Sequence, residues 1–507
     1  MSQLDKPLIL LYNPKVAHPG YHRLPHSLLQ VGTLLEGRYP YEIIDGNLDQ
    51  ERDRAAEIIH QVQHDGVRYL GVTIMPGPQL QQAVPDIKRI KAVCPDLTII
   101  VGGYFPTNHV NTCAKDPAID YVVISAGEDT MLDLVDMLES GGDPGQVAGL
   151  AFERDGEVVR TAKREPHHPN DLPWFPYHKV PVDRYVTRTH LGTRTLSHHS
   201  SFGCPFFCNF CAVVNLAEGR WLAESAERMG ELAQHMVDTW QINALEFHDN
   251  NFFTSEKRIV GFCEELLRRG MGVQGRTPLH WWGEGRIDTM LKFRPRTWEL
   301  MRDSGLKMVF MGAESGDDHT LELMNKGGTL TADKTLEMAA HARKYGIVPE
   351  FSFILGNPPD SRADIQRGIE FIRKVKAVNP AVEIIMYRYD PVPLAGEMWQ
   401  GALESGFRFP QTLDEWVDPH WERVQLRRSA DIPWFAQSDR RLMQDFETVL
   451  NAYYPTTTDR RLRSGLWHTL LRTMSSWRYR MRWYHWPVEL HLLQQFIRYQ
   501  RPETSGF

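Results

Sequence analysis

A chain of 507 residues with 42% apolar, 24% charged and 10% aromatic residues has the composition of a folded protein and is too long for one hydrophobic core. Its formal net charge of −7 gives no general attraction for nucleic acid, and no stretch approaches the roughly 20 consecutive apolar residues of a spanning helix. Six cysteines, three of them clustered, do not resemble a disulfide framework. We therefore expect a cytoplasmic protein of about three domains with no nucleic-acid partner.

Residues 1–140 alternate short apolar runs with helical segments. The runs include "PLILLYNP", "YEIID", "YLGVTIM" and "LTIIVGG". Strands that alternate with helices form βαβ units, and continuously apolar strands are typical of a parallel sheet covered on both faces. The pattern predicts an α/β, Rossmann-like, doubly wound domain whose ligand lies beyond the carboxyl ends of the strands, near "VTIMPGP", "VGGYFPT" and "SAGEDT".

Residues 141–194 predict a hairpin around Asp155 and Gly156, followed by a linker rich in proline. A second βα series spans 195–400. Its six strand candidates end in polar residues, which predicts a partial (β/α)6 barrel with its site at the carboxyl ends of the strands. Residues 401–507 are predicted to be mainly helical. The six candidates lie in "TLSHHSSFG", "ALEFHDNNFF", "LHWWGEGRID", "MVFMGAESG", "PEFSFILGNPPD" and "EIIMYRYDPVP".

Cys204, Cys208 and Cys211 form a C-x-x-x-C-x-x-C pattern after the first strand of the predicted barrel. Structural zinc prefers four ligands, and the remaining cysteines are scattered along the chain, so a zinc site of three thiolates stays open only as an alternative. Three thiolates on a four-iron cluster leave one iron free for a ligand that is not protein. The spacing therefore favours a 4Fe-4S cluster.

This spacing, with Phe207 and Phe210 beside the second and third cysteines and the strand-end motifs that follow, resembles the radical S-adenosylmethionine (SAM) superfamily over roughly residues 195–400. The resemblance implies that the free iron binds the amino and carboxylate groups of SAM. It also implies the SAM-binding residues Phe210, Asp249, Asn250, Arg286, Glu314, Ser315 and Gly356.

Each of these residues has an implied partner on SAM. Asp249 and Asn250 in "FHDNNFF" would hold the amino group, and Arg286 in "GEGRID" would pair with the carboxylate through its guanidinium fork. Glu314 and Ser315 in "GAESG" suit the ribose hydroxyls, while Gly356 would let the backbone approach adenine. The alternative is a structural one, in which Asp249, Arg286 and Glu314 form a buried ion network and Gly356 is an ordinary turn residue.

The first domain resembles the cobalamin-binding domain that precedes the barrel in one branch of this superfamily. Its loop "NPKVAHPGYH" lacks the Asp-x-His-x-x-Gly motif, so we do not expect His18 to ligate cobalt. G-x-G-x-x-G is also missing, which makes a dinucleotide the weaker alternative. The resemblance implies the cobalamin-binding residues Thr73, Gly102, Gly103, Gly127 and Glu128.

Together the resemblances imply an enzyme in which a one-electron reductant, such as flavodoxin or ferredoxin, feeds the cluster. SAM is then cleaved to a 5′-deoxyadenosyl radical that takes hydrogen from a small-molecule substrate, and methylcobalamin supplies a methyl group. The chain also resembles the anaerobic magnesium-protoporphyrin monomethyl ester cyclase-like branch, so oxidation or cyclisation of a tetrapyrrole-like substrate without methylation is the alternative. A zinc-binding protein and an iron–sulfur electron carrier are the alternatives that are not enzymes. The candidates for the substrate pocket are Tyr387, Arg388 and Tyr389.

Residues 459–507 hold nine arginines, no lysine and three acidic residues. They also contain an apolar stripe at helical spacing. One interpretation is a helix packed on the barrel, and the other is an interfacial helix that attracts anionic lipid and gives access to an amphiphilic substrate. The second interpretation predicts peripheral membrane contact. The stripe consists of Trp467, Leu470, Met474, Trp477 and Met481.

Overall fold

The computed structural model describes residues 6–16, 22–326, 328–394, 396–425, 432–455 and 465–496. Its first sheet has the order β2-β1-β3-β4-β5-β6-β7, with parallel pairing from β2 to β5 and antiparallel pairing from β5 to β7. The strands are β1 (Leu8–Asn13), β2 (Tyr41–Asp45), β3 (Val67–Thr73), β4 (Thr98–Gly102), β5 (Tyr121–Val123), β6 (Leu150–Arg154) and β7 (Glu157–Arg160).

Helices cover both faces of this sheet, because its central strands are apolar on both sides. On one face, α1 and α6 bury Leu28 and Leu134, and on the other, α2 and α3 bury Ile58 and Ile87. The hairpin of β6 and β7 turns at Asp155 and Gly156 and extends the edge of the sheet. The helices are α1 (His26–Leu35), α2 (Arg54–His64), α3 (Pro78–Val93), α4 (Tyr104–Asn108), α5 (Val110–Ala114) and α6 (Glu128–Glu139).

The second sheet is fully parallel, with the order β8-β11-β12-β13-β14-β15, and β9 and β10 form a small antiparallel pair beside it. Its six strands confirm the predicted partial barrel. The strands are β8 (Thr195–His198), β9 (Ser201–Gly203), β10 (Trp221–Ala223), β11 (Ala244–Phe247), β12 (His280–Gly285), β13 (Leu306–Glu314), β14 (Val348–Leu355) and β15 (Glu383–Arg388).

The helices of the barrel begin at residues that satisfy their free backbone N–H groups. The side chains of Ser225, Thr331 and Asp360 accept hydrogen bonds from the third residue of α8, α13 and α14, and α13 ends at Gly346 with φ +70°. These helices are α7 (Val213–Ala217), α8 (Ala226–Trp240), α9 (Glu256–Arg268), α10 (Ile287–Met290), α11 (Pro295–Asp303), α12 (Asp318–Leu323), α13 (Ala332–Tyr345) and α14 (Ser361–Val378).

The described part of the carboxyl-terminal region is mainly helical, so the predicted fold class is confirmed. Among the helices described, none is long and apolar enough to cross a membrane. The helices of this region are α15 (Glu397–Glu404), α16 (Leu413–Trp416), α17 (Pro419–Gln425), α18 (Gln437–Tyr453), α19 (Leu466–Met481) and α20 (Val488–Phe496).

An aromatic cluster joins the first domain to this region. The His109 ring lies 4.9 Å from the ring of Phe409 and 4.8 Å from that of Trp416, and Phe105 meets Trp416 edge-on at 5.0 Å. Burial in this cluster lowers the pKa of His109 to about 4, because the charged imidazolium loses its hydration.

The pKa of His109 makes the stability of the protein depend on pH. The folded pKa lies below the ordinary value of 6.5, so this stabilisation is complete above about pH 6.5 and is lost as the pH falls towards 4. For this one group, we expect the free energy of unfolding to fall by up to about 1.4 kcal/mol per pH unit within that window. Urea unfolding at several pH values between 7 and 4 measures this change in the free energy of unfolding. His109→Gln should show a smaller loss than the wild type, and equal losses would contradict the assignment.

Candidate active site

A cavity of about 1930 Å³ lies where the carboxyl ends of the parallel strands of the two sheets face each other. Gly102, Gly103 and Gly127 line it from the first sheet, and Cys211 and Asn250 line it from the second. Pockets for one small molecule usually measure about 300–1,000 Å³, so this cavity has room for more than one such molecule. The strand-end loops singled out in the sequence therefore share one space.

The three clustered cysteines lie in the loop between β9 and α7. Gly203 opens the loop with φ +79°, and a Cβ atom there would lie 2.4 Å from the backbone oxygen of Arg220, so only glycine fits. Cys208 is buried, while Cys204 and Cys211 are partly exposed. Burial, together with the neighbouring Cys208 and Cys204, raises the pKa of the Cys211 thiol to about 12.

Two hydrogen-bond donors point at sulfur atoms of this loop. Asn251 Nδ2 lies 3.8 Å from Cys204 Sγ, and Arg286 Nη1 lies 3.6 Å from Cys208 Sγ. The Arg286 guanidinium also lies 3.7 Å from the centre of the Phe206 ring. Hydrogen bonds to cysteine sulfurs stabilise the negative charge of thiolates and tune iron–sulfur clusters. Three close thiols with such donors fit a 4Fe-4S cluster. The sequence pattern did not single out Asn251, although it directly follows Asn250.

Arg286 and Glu314 are brought together by Lys326, a residue that the sequence analysis missed. The Arg286 guanidinium donates two hydrogen bonds to the Asp288 carboxylate, at 3.1 and 3.0 Å, and another to the backbone oxygen of Lys326. The buried Lys326 ammonium in turn donates to the Glu314 carboxylate, and it lies 5.9 Å from the Phe210 ring. These predicted SAM-binding side chains therefore form one charged network beside Cys208. "MNKGG" carries no periodic signal that would have identified Lys326.

Glu314 and Ser315 lie at the end of β13, as predicted. The Glu314 backbone has φ +61°, an angle that residues other than glycine rarely adopt. The ion pair of its carboxylate with Lys326 helps to hold this conformation. Ser315 Oγ accepts a hydrogen bond from the backbone nitrogen of Asp317 at 3.1 Å. Both residues are buried behind the cysteine loop.

Asp249 has partners on the cysteine-bearing side of the barrel. Its carboxylate is fully buried and accepts hydrogen bonds from Ser200 Oγ at 2.9 Å, from Ser200 N at 3.2 Å and from Ser201 Oγ. Arg258 completes the group by donating to Ser200 Oγ at 2.5 Å. This arrangement favours the structural alternative for Asp249. Its neighbour Asn250 is instead exposed on the cavity wall.

Gly356 turns the chain after β14 with φ +78°. Its nitrogen donates to Asp364 at 2.8 Å, its oxygen accepts from Trp434 Nε1 at 3.0 Å, and a Cβ atom there would lie 2.6 Å from the Phe435 ring. The position thus requires glycine for turn geometry as well as for close packing.

The three substrate-pocket candidates occupy two environments. Tyr387 and Arg388 line the cavity, and Arg388 donates to Asp390 at 2.6 Å. Tyr389 lies in the core, where its hydroxyl donates to the backbone oxygen of Met398 at 3.2 Å. Tyr389 follows the last residue of β15, where the chain leaves the strand and turns its ring into the core.

The five predicted cobalamin-binding residues all line the cavity from the first domain. Thr73 Oγ1 accepts from Ser27 Oγ at 3.2 Å, and burial raises the pKa of Glu128. A glycine-rich rim on so large a cavity fits a corrin ring and its tail. His18 lies outside the described residues. The five are Thr73, Gly102, Gly103, Gly127 and Glu128.

We expect Gly103→Val to weaken cobalamin binding by about tenfold or more, because φ is +97° there and a Cβ atom would lie 3.1 Å from Thr73 Oγ1. Equilibrium dialysis with hydroxocobalamin measures this affinity. Gly66→Val is the matched control, since Gly66 also has positive φ but open space around it. Equal affinity in wild type and Gly103→Val would contradict the assignment.

Tyr104, a residue that the sequence analysis missed, connects the two predicted cofactor sites. It follows Gly103, and its hydroxyl lies 3.4 Å from Asn250 Oδ1. Burial raises the pKa of Tyr104, and the nearby Cys211 raises it further. Ser125 Oγ also donates to the Leu216 oxygen at 2.5 Å, so the first domain is held against the segment that follows the cysteines.

Two family models match this chain: the B12 binding domain over residues 16–135 and the radical SAM superfamily over residues 199–372. "Uncharacterized methyltransferase PH0819" of Pyrococcus horikoshii is 27% identical over 69% of this chain and 73% of its own length. The anaerobic magnesium-protoporphyrin IX monomethyl ester cyclase of Rubrivivax gelatinosus is also 27% identical, over 61% of this chain and 54% of its own length. The chain thus spans about half of that cyclase.

Two solved structures share the fold. The methyltransferase TsrM of Kitasatospora setae, with tryptophan and a SAM analogue, has a TM-score of 0.65 at 16% identity, covering 94% of this chain and 99% of its own. The cobalamin-dependent enzyme OxsB, with aqua-cobalamin and SAM, has a TM-score of 0.67 at 16% identity, covering 98% of this chain and 75% of its own. Given the two matched domains and the site between them, the chain combines a radical SAM domain with a B12 binding domain and is a radical SAM enzyme whose cofactors are a 4Fe-4S cluster, SAM and cobalamin.

Proposed function

We propose that this enzyme transfers a methyl group to a carbon atom of a small-molecule substrate in a cobalamin-dependent reaction. The observation that carries the proposal is the single cavity lined both by Gly102 and Gly103 of the B12 binding domain and by Cys211 of the radical SAM domain. When bound, the cofactors supply an electron, a 5′-deoxyadenosyl radical that removes a hydrogen atom, and a methyl group for the resulting carbon radical.

The residues of this chain would hold and shield the reactants. The thiolates of Cys204, Cys208 and Cys211 would hold the cluster, leaving one iron for SAM. Arg286 and Lys326 lie beside Cys208 in ion pairs with Asp288 and Glu314, and the Arg286 guanidinium would meet the SAM carboxylate there. These roles are part of the proposal and rest on the contacts described above.

Aromatic side chains from the carboxyl-terminal region form much of the remaining wall of the cavity. Phe409, Trp416 and Phe435 are among them. Such a wall would keep water away from a radical, and it suits a substrate with apolar surface. We therefore propose an amphiphilic or tetrapyrrole-like substrate, and flavodoxin or ferredoxin as the one-electron reductant. Peripheral membrane contact belongs to the same proposal, because it would give access to such a substrate.

Oxidation or cyclisation without methyl transfer is the second candidate, and the similarity to the magnesium-protoporphyrin cyclases supports it. The two reactions differ in their products. Methyl transfer adds a methyl group from SAM, whereas cyclisation removes hydrogen and adds no carbon.

The test is anaerobic turnover of the reconstituted protein with SAM whose methyl group is deuterated. Tetrapyrrole and lipid extracts serve as substrate pools, and products are identified by mass spectrometry. We expect a deuterated methyl group in one product, and only when cobalamin has been added. A dehydrogenated product without deuterium would replace the first candidate by the second. Cleavage of SAM with no change in either pool would contradict the proposed substrate class.

A further inference from the structure

The described apolar surface of this protein is concentrated at its carboxyl-terminal end. Fifteen large apolar side chains are exposed among the described residues, and nine of them lie between residues 466 and 492. Isolated exposed apolar residues are ordinary, but a contiguous set marks an interaction surface. We call these nine residues the terminal patch: Leu466, Trp467, Leu470, Trp477, Met481, Trp483, Trp486, Val488 and Leu492.

Helix α19 presents one face to the protein and a different face to solvent. Leu471, Ser475 and Tyr479 are buried, and the Tyr479 ring stacks on that of Tyr453 in α18 at 4.5 Å. The patch residues of α19 follow the 3 and 4 spacing of a second face, about a quarter of a turn or more away from the buried one. Met481 is 74% exposed there. Packing onto α18 therefore leaves four residues of the apolar stripe exposed, while Met474 packs partly against the core. The four are Trp467, Leu470, Trp477 and Met481.

The patch is rich in tryptophan. Five tryptophans are exposed among the described residues, and four of them belong to the patch. Trp486, which lies between α19 and α20, is 70% exposed. The indole ring combines an apolar body with an N–H donor, and it favours the boundary between lipid chains and water.

The charges around the patch are positive. Residues 465–496 contain four arginines and one glutamate, a net charge of +3, whereas the rest of the chain carries −10. Glu489 is hydrogen-bonded to the buried Arg478 at 2.8 Å, and the exposed Arg482 pairs with Glu370 at 3.0 Å. Arg472 and Arg480 are therefore the exposed arginines of this segment that have no carboxylate partner among the described residues. Charge separated in this way would orient the protein with the patch towards an anionic surface.

The helix beneath the patch also reaches the cavity. Arg440, Met443, Gln444 and Glu447 of α18 line the cavity, while Phe446 of the same helix meets Tyr484 edge-on at 4.9 Å. One helical layer therefore separates the terminal patch from the candidate active site.

We propose that the terminal patch docks this protein onto an anionic lipid surface. Apolar and indole side chains enter the boundary region of the bilayer, and the arginines meet lipid headgroups. A second copy of the chain is the weaker occupant, because a two-fold interface would bring the same arginines of both copies together, and like charges repel. The docking itself is independent of the reaction catalysed. The further step, in which docking gives the active site access to a membrane-dissolved substrate, rests on the proposed function.

The test is sedimentation of the full-length, cofactor-loaded protein with vesicles, made either of phosphatidylcholine alone or of equal parts phosphatidylcholine and phosphatidylglycerol. We expect binding to the anionic vesicles only, and weaker binding at high salt. Trp477→Ser/Met481→Ser should reduce the partition coefficient by at least about tenfold, since both side chains lose their burial in lipid. Trp174→Ser, at an exposed tryptophan outside the patch, should bind like the wild type.

Light scattering and circular dichroism complete the test. A wild-type dimer that Trp477→Ser/Met481→Ser converts to a folded monomer, with no vesicle binding by either, would overturn the proposal in favour of a second copy. A wild-type monomer that binds neither kind of vesicle would also overturn it. SAM cleavage without added lipid should be equal in wild type and variant, so failure of docking is distinguishable from failure of the proposed function.

Discussion

Cys208→Ala is expected to abolish both the iron–sulfur absorbance and SAM cleavage, the largest effect on activity among our predictions. Cys208 is buried at the centre of the three-cysteine loop, and Arg286 points at its sulfur from 3.6 Å. Two thiolates cannot hold a 4Fe-4S cluster with one open iron. Anaerobic reconstitution, visible absorbance and chromatography of the cleavage products measure the result.

Cys94→Ala is the matched control, because Cys94 is a free cysteine of the first domain. It should retain cluster and activity. A Cys208→Ala protein that keeps the cluster and cleaves SAM at the wild-type rate would show that the three-cysteine loop is not the cluster site.

Arg258→Met is expected to lower the free energy of unfolding by about 3–5 kcal/mol, the largest effect on stability among our predictions. Arg258 is 9% exposed and donates to the Glu224 oxygen at 2.8 Å, to the Phe252 oxygen at 3.3 Å and to Ser200. Its removal would take away a buried positive charge that interacts with the Asp249 carboxylate and would leave backbone oxygens without their donor. Chemical denaturation of the protein without cofactors measures the loss.

Arg268→Met in the same helix is the control, because the Arg268 side chain is 63% exposed and should contribute at most about 1 kcal/mol. Asp249→Asn separates the two interpretations of Asp249. A structural role predicts a clear loss of stability. Unchanged stability with weaker SAM binding would instead support the role implied by the resemblance. It would contradict a structural role for the hydrogen bonds that join Arg258, Ser200 and Asp249.

The sequence predicted the features that depend on local patterns. Short apolar runs indicated the strands, and the spacing of Cys204, Cys208 and Cys211 indicated the cluster, because all three ligands belong to one short loop. Strand-end positions such as Glu314 follow from the rule that parallel strands place their carboxyl ends at one edge. Such features need no knowledge of distant contacts.

Contacts that form only when the chain folds back on itself could not be predicted. Lys326 joins Glu314 only after α12 folds back, and Tyr104 meets Asn250 from 146 residues away. Only part of the terminal patch could be predicted. The stripe from Trp467 to Met481 was visible in the sequence, but its exposure depends on which face of α19 packs against α18. Helix α19 packs against α18 through its buried face, as the first interpretation has it, and the interfacial role of its exposed stripe stays a proposal.

The central claim is that one chain holds a cluster and cobalamin at a single site that cleaves SAM. The most direct measurement is anaerobic reconstitution with iron, sulfide and hydroxocobalamin, followed by gel filtration, reduction and SAM addition. We predict that iron, sulfide and cobalamin co-elute with the protein and that 5′-deoxyadenosine forms. A colourless protein that retains neither cofactor and forms no 5′-deoxyadenosine, but holds one tightly bound zinc ion, would contradict the account.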